Sequence, residues 1–418
     1  MSFVFPGLPD HWQKTRLDRV ATVNARIGWK ALTASEYQPE GYAFLATPNI
    51  KGAEIDFENV NYISEYRYLE SPELQLTEGD VLLAKDGNTL GVVNVTRGIP
   101  RPATVNGSIA VLRSHGINSR FLRYVIASSP IQGHIGSVKD GMGVPHLFQR
   151  DIKQFPVPLP PLEEQRRIAD FLDAETARID KLVGLRKRQM ALIDERYESA
   201  LEREFNADSS RETRLKYLLA MRPRYGVLVP SFVDEGVPLI RVNDLLDLAG
   251  RSEGMLRIPG ELSAQYSRTV TREGDVLLSV VGTLGRSAIV PGELASANVN
   301  RAIAVLRPLS EVSNELLAIW LTTRSFIRQA LDATASDTAQ RTLGMEDLSN
   351  FRLPWPDRAA DLKRLYAAVR AASDRRSKLS KVFQRQVTLL EERRQALITA
   401  AVTGQIDVST ASGRGIEE

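Results

Sequence analysis

Cysteine is absent from all 418 residues. That excludes disulfides, thiolate-bound zinc, iron–sulfur clusters and thiol catalysis, and it makes a cytoplasmic setting the expectation. The four histidines, His11, His115, His134 and His146, are scattered, and none pairs with another at metal-ligand spacing. No apolar run reaches the length of a membrane-spanning helix. The opening Met1-Ser-Phe-Val-Phe-Pro-Gly lacks the basic stretch and apolar core of a signal peptide. Also missing are a Walker A sequence, an Asn/Asp-Pro-Pro-Tyr methylation motif and a glycine-rich cofactor loop after a strand. No cofactor and no metal are therefore expected in this chain.

One further absence is local. Between Gly87 and Lys139 there is no Asp or Glu, yet Arg97, Arg101, Arg113, Arg120, Arg123 and Lys139 all fall in that tract. The net charge of +3 is too small to imply a polyanionic partner by itself, but an acid-free basic tract predicts a local positive surface suited to phosphate. What is present is otherwise ordinary for a globular protein: 43% apolar and 25% charged residues. The length calls for at least two domains.

The chain repeats itself at a lag of about 195 residues. Glu78-Gly-Asp-Val-Leu-Leu-Ala84 returns as Glu273-Gly-Asp-Val-Leu-Leu-Ser279, Thr89-Leu-Gly91 as Thr283-Leu-Gly285, and Ile109-Ala-Val-Leu-Arg113 as Ile303-Ala-Val-Leu-Arg307. Arg16-Leu17 matches Arg214-Leu215, Arg26-x-Gly28 matches Arg224-x-Gly226, and Phe155-x-x-Pro158 matches Phe351-x-x-Pro354. The register changes by one residue between Gly87/Gly282 and Thr89/Thr283. A lag this long is a duplicated domain with its connector, since solenoid repeats are far shorter. Each copy reads as α/β (α+β). Its short apolar runs follow turn signals and predict buried strands, and helices follow with Asn118 and Asn314 as N-caps.

Two stretches read as long helices. After Pro161, residues 162–207 contain only Gly184 as a breaker, and residues 357–405 are free of glycine and proline until Gly404. Leu362, Leu365, Val369, Ala372, Leu379, Phe383, Leu390, Leu397 and Ala400 alternate at three and four residues, a heptad seam interrupted by Arg376, Gln386 and Arg393. Ile168, Ile179, Leu182, Ile193 and Ala200 carry a weaker version in the first stretch. About 40 residues make a rod of roughly 60 Å. Neither seam is buried alone, so the two are expected to pair as an antiparallel coiled coil with pseudo-two-fold related domains at its ends. The expected order is domain one over 1–160, helix over 161–207, domain two over 208–356, helix over 357–405 and a flexible tail over 406–418.

These residues resemble a known family. Leu159-Pro-Pro-Leu-Glu-Glu-Gln-Arg-Arg-Ile-Ala-Asp-Phe-Leu-Asp173 and the run to Asp180 resemble the central conserved region of type I restriction–modification specificity subunits. Arg394-Gln-Ala-Leu-Ile-Thr-Ala-Ala-Val-Thr-Gly-Gln-Ile-Asp407 resembles their C-terminal conserved helix end, and Leu8-Pro-Asp-His-Trp12 their usual opening. The second copy departs from the pattern, having Pro354-Trp-Pro-Asp-Arg358 where the first has the Pro-Pro-Leu signature. The resemblance implies two target-recognition domains reading a bipartite double-stranded DNA target. It also implies long helices that dock two methyltransferase subunits, with restriction subunits joining through that complex. S-adenosylmethionine, ATP and magnesium would belong to those partners, and no catalysis to this chain.

Candidate DNA contacts are basic and aromatic residues in loops rich in glycine and proline. They are Arg26, Trp29, Lys30, Lys85, Arg97, Arg101 and Lys139 in the first copy, and Arg222, Arg224, Tyr225, Arg286, Arg301 and Arg341 in the second. Arginine reads guanine through two bonds, and lysine mainly clamps phosphate. Asn106 and Asn300 suit adenine but read better as turn residues, and His146 reads as a packed loop residue. Asp151-Ile-Lys153 resembles a nuclease fragment, but its repeat partner Asp347-Leu-Ser349 lacks the lysine, so Asp151 reads as a cap or turn acid. Two other readings stay open: the specificity component of a combined nuclease–methyltransferase, and a coiled-coil protein adaptor.

Overall fold

The computed structural model describes residues 5, 7–25, 32–139, 145–207, 210–248, 250, 254–334 and 341–408. The chain divides into two compact units, Met1–Arg188 with Gln384–Glu418, and Gln189–Phe383. The first holds β1 (Gln13–Arg16), β2 (Ala21–Asn24), β3 (Tyr42–Leu45), β4 (Asn61–Ile63), β5 (Val81–Ala84), β6 (Val93–Val95), β7 (Ala103–Val105), β8 (Ile109–Ser114) and β9 (Pro156–Leu159). The second holds β10 (Ser210–Arg214), β11 (Arg224–Tyr225), β12 (Val237–Ile240), β13 (Arg257–Ile258), β14 (Val276–Ser279), β15 (Ser287–Ile289), β16 (Asn298–Val299), β17 (Ile303–Leu306) and β18 (Arg352–Pro356). Shorter helices are α1 (Glu65–Leu69), α2 (Ser119–Ala127), α3 (Ser129–Val138) and α4 (Gln149–Lys153) in the first unit. In the second they are α6 (Gly260–Gln265), α7 (Asn314–Trp320), α8 (Arg324–Ala333) and α9 (Met345–Asn350).

The duplication is reproduced strand for strand. Order β2-β8-β5-β6 in the first unit is matched by β11-β17-β14-β15 in the second, β4-β3-β7 by β13-β12-β16, and β1-β9 by β10-β18. Even the parallel pairs correspond, β3 with β7 and β12 with β16. Local chemistry explains the shared motif. Gly79 and Gly274 turn with positive φ, which a glycine adopts without cost, and the following Asp80 accepts from Thr77 N at 2.8 Å. The Val-Leu-Leu that follows is buried on both faces in each copy, because a sheet and a helix layer cover it.

Asn118 caps α2, accepting from Phe121 N at 3.1 Å. In the second copy the cap is Ser313, which accepts from Leu316 N at 3.3 Å, and Asn314 is the first helical residue. The shift by one residue is chemically neutral, since both side chains can cap.

The long helices are α5 (Leu162–Phe205) and α10 (Ala359–Val402). Within the first unit Asp180 pairs with Arg394 at 3.2 Å and Lys187 with Glu391 at 3.9 Å. Within the second, Asp194 pairs with Arg376 at 2.7 Å, and the guanidinium lies 5.0 Å from the Tyr197 ring centre. Numbering falls on one helix as it rises on the other, so each unit contains an antiparallel helix pair. The heptad seam is followed only in part. Leu365 and Val369 are buried as predicted, but Leu182 and Leu379 are exposed, while Val387, outside the predicted seam, is buried. At the helix ends the apolar face packs on the sheet domain as well as on the other helix. Ile168, Leu172, Ile398 and Val402 join one core, and Leu201, Phe205, Leu365 and Val369 another. A domain-facing stripe follows 3.6 residues per turn and drifts away from a strict seven-residue pattern. None of the described helices is long and apolar enough to cross a membrane.

Candidate nucleic-acid interface

In each unit the ends of the central strands converge on one set of loops. In the first, β5 ends beside the start of β8 and the end of β2, because Ala84 faces Ile109 and Asn24 faces Val111. The loop after β5 is tied to the segment preceding α4: Leu147 N donates to Lys85 O at 2.9 Å, and Gly87 N to Pro145 O at 2.9 Å. The second unit repeats both bonds, Leu343 N to Val280 O at 2.9 Å and Gly282 N to Arg341 O at 3.0 Å. Gly87 and Gly282 share φ of +73°. This loop end is a built feature of the fold.

In the second unit it gathers cations. Arg224 and Tyr225 form β11 opposite Val305 and Ala304, and Arg301 N donates to Val227 O at 2.9 Å. Gly226 makes that approach possible, since a Cβ there would meet Val299 O at 1.9 Å. Arg341 is brought in by Gly282, and Tyr225 donates its hydroxyl to Leu343 O at 2.7 Å. Arg224, Arg301 and Arg341 are exposed, as is Arg222, two residues before β11. Arg286 is half-buried, with its guanidinium 3.4 Å from Val242 O. Asn300 stands at the same end with its side-chain oxygen buried and without a partner among the described residues.

In the first unit the predicted residues are dispersed. Arg26, Trp29 and Lys30 lie outside the described residues. Lys85 is at the loop end but buried, with Nζ 2.9 Å from Asp86. Asp86 also contacts His146 Nδ1, and His146 stacks edge-on against Phe148 at 4.6 Å. His146 is thus a packed loop residue that also holds an acid, a role Asp86 did not reveal in the sequence. Lys139 is exposed at the end of α3. Arg97 is elsewhere: it follows β6 at the Val81 end of β5, opposite Lys85, and donates to Asp173 at 2.6 Å. Arg101, exposed, lies before β7 at the end away from Asn106, with its guanidinium 3.0 Å from the Tyr62 hydroxyl.

The acid-free tract therefore does not make one positive surface. Acids from outside it meet its arginines. Asp80 takes Arg113 at 2.9 Å, and Asp173 on α5 takes both Arg97 and Arg120, the latter at 2.9 Å. Arg123 is buried over the Tyr124 ring at 4.9 Å. Burial opposes ionisation of Asp173. Hydrogen bonds from Tyr124 and Arg120, with the charge of Arg97, nevertheless hold its carboxyl below the usual range. Asn106 has the turn role expected, accepting from Ser108 N at 3.1 Å. Asp151 lies in the first turn of α4 with Arg150 at 3.5 Å, consistent with the turn-acid reading.

Comparison with known proteins places these features. Residues 9–187 match the family model "Type I restriction modification DNA specificity domain". The type I restriction enzyme EcoBI specificity subunit of Escherichia coli is 26% identical over 385 residues, 84% of this chain and 77% of that protein. The putative MjaX specificity subunit of Methanocaldococcus jannaschii is 20% identical over 434 residues, 96% of this chain and 95% of that one. A chain from a solved structure of the type I R-M system shares the fold with a TM-score of 0.71 at 19% identity, covering 96% of this chain and 100% of that chain. Residues 9–187 thus match a type I restriction modification DNA specificity domain, most of the chain is similar to type I restriction enzyme specificity subunits, and its fold is that of a chain from such a system.

Proposed function

We propose that this chain reads double-stranded DNA at a two-part target, one part per copy, and carries no reaction of its own. The observation that carries the reading is the loop end of the second unit's sheet, where the exposed Arg224, Arg301 and Arg341 converge on a rigid backbone frame. The same frame recurs in the first unit. Arginines of this kind suit phosphate and guanine edges. The long helices dock two methyltransferase subunits, through which restriction subunits join. Adenine methylation, with S-adenosylmethionine, and cleavage, with ATP and magnesium, belong to those partners.

The test is co-expression with a type I methyltransferase subunit, followed by mapping modified adenines across host DNA. The expected result is a split motif with a fixed unspecified gap, in which changes to Arg224 and Arg301 relax one half only. A contiguous motif, both halves failing together, or no modification at all would overturn the reading.

A further inference from the structure

The loop after β11 exposes apolar side chains where a stable globular unit gains nothing by doing so. Gly226 presses against the Val299 carbonyl, and Val227 is fully buried with Leu239 and Ile258. The chain then leaves the surface and returns where Val233 bridges Arg257. Between these anchors Leu228, Val229 and Phe232 are 58%, 75% and 51% exposed. Three large apolar residues exposed within five positions form a patch, and patches of this kind mark interaction surfaces. Its own frame is firm: Leu228 N donates to the Tyr266 hydroxyl at 3.3 Å, and Arg301 N binds the carbonyl of Val227 at 2.9 Å.

Its surroundings select the partner. Arg224 lies on the strand that leads into the loop, and Arg301 is bonded to its base. The acids Asp234 and Glu235 come only after the Val233–Arg257 anchor, in the segment that Arg257 closes through Gly236 O at 2.8 Å. An apolar tip rooted among arginines fits a polyanion that also has apolar surface. In duplex DNA that surface is the thymine methyl group in the major groove or the face of an unstacked base.

Resting on the DNA-reading function above, we infer that Leu228, Val229 and Phe232 are a specificity element of the second reader, an apolar tip that contacts base surface between phosphate-bound arginines. Charge then positions the unit and the tip discriminates sequence.

The test uses the full chain with its methyltransferase partner on a duplex carrying the mapped target. Changing Leu228, Val229 and Phe232 together to Ser should weaken binding about tenfold or more, since each tenfold is 1.4 kcal/mol and each buried large side chain contributes at least that. The slope of affinity against salt should not move, because no charge is removed. Leu331→Ser, an exposed leucine on α8, is the control and should leave binding unchanged. Two arms separate the contacts. Deoxyuridine in place of thymidine in the half-site abolishes a methyl contact, and 2-aminopurine brightens at an unstacked step with the wild type but not with the variant. Either response supports the inference. Wild-type affinity in the triple variant, a loss to which neither arm responds, or loss of methyltransferase capture with DNA affinity intact overturns it while leaving the DNA-reading function standing. A wild-type complex with no salt-dependent DNA binding overturns that function itself.

Discussion

Arg113 grips Asp80 through two parallel bonds of 2.9 Å, and Arg307 grips Asp275 in the same way at 2.8 and 2.7 Å. Each arginine also donates to a backbone carbonyl, of Gln75 at 2.9 Å and of Val270 at 3.1 Å. The pair links the start of a central strand, β5 or β14, to the end of its neighbour, β8 or β17. It is the physical reason that Gly-Asp-Val-Leu-Leu and Ala-Val-Leu-Arg recur together. Hydrogen bonds donated to the aspartates raise both arginine pKa values against the opposing effect of burial. Both carboxylates are buried, but the Arg113 side chain is 36% exposed and that of Arg307 only 17%. Asp275→Asn should therefore cost more than Asp80→Asn, about 3–4 against about 2 kcal/mol, because the better-enclosed cation is left without its counter-charge. Denaturant titration of the two variants measures the difference, and hydrogen exchange should show β14 opening in one and β5 in the other. Equal losses would show that enclosure does not govern this pair.

Two glycines make opposite predictions. Gly226 has no room for a Cβ, with Val299 O at 1.9 Å and Val299 C at 2.4 Å, both backbone atoms that cannot swing aside. Gly226→Ala should displace the connection between β16 and β17 and destabilise the second unit by several kcal/mol, on the order of an overpacked core. Gly184 lies within α5 with nothing within 4 Å of a Cβ. Gly184→Ala should stabilise by about 0.5–1 kcal/mol, by reducing the freedom of the unfolded chain and improving helix propensity. Melting curves of the two variants should shift in opposite directions.

The repeat, the two central strands of each copy and both long helices were legible because they depend on local patterns that each copy states independently. The candidate site was less so. Arg97 and Lys85 look alike in sequence, as basic residues beside glycines, yet one lies at the far end of β5 and the other is buried against Asp86. Their partners are distant in the chain: Asp173 is 76 residues from Arg97. An acid-free tract says nothing about acids brought to it by folding. The apolar tip at Leu228 and Phe232 was missed for a different reason. Composition does not separate the buried Val227 from the exposed Leu228 and Val229 beside it, and only the tertiary frame does.

The Asp173 cluster predicts an acid-sensitive first unit. Three donors, Arg97 at 2.6 Å, Arg120 at 2.9 Å and the Tyr124 hydroxyl at 2.7 Å, converge on one carboxylate and hold its pKa below the unfolded value of about 3.9. A depressed folded pKa contributes stability that is complete above the unfolded value and is lost as pH falls through the folded one. Lowering the pH from 6 to 3 should therefore loosen the contact between α2 and α5. Asp173→Asn should remove this group's share of the pH dependence and cost about 1–2 kcal/mol at neutral pH, because the solvent-accessible Arg97 loses its acid while Arg120 keeps Asp170 at 2.7 Å. Denaturant midpoints of both proteins across that pH range give the answer, and parallel acid limbs would show that other carboxylates dominate.

The number of phosphate contacts can be counted without knowing the target. Each cation that neutralises a phosphate releases condensed counterion, so its removal reduces the slope of log affinity against log salt by about one. Arg224 and Arg301 are exposed at the loop end of the second unit. Replacing either with Ala should lower the slope by about one, and replacing both by about two. Arg97 is a basic residue of the same type but is held by Asp173 at 2.6 Å at the end of its sheet away from the loops. Arg97→Ala should leave the slope unchanged, even if it costs some stability through Asp173. The difference cannot come from net charge, because each single variant loses the same unit charge. It can come only from where the fold puts that charge. Equal slope changes for Arg97 and Arg301 would mean that DNA is attracted by overall charge, and the loop end would lose its claim to be the contact surface.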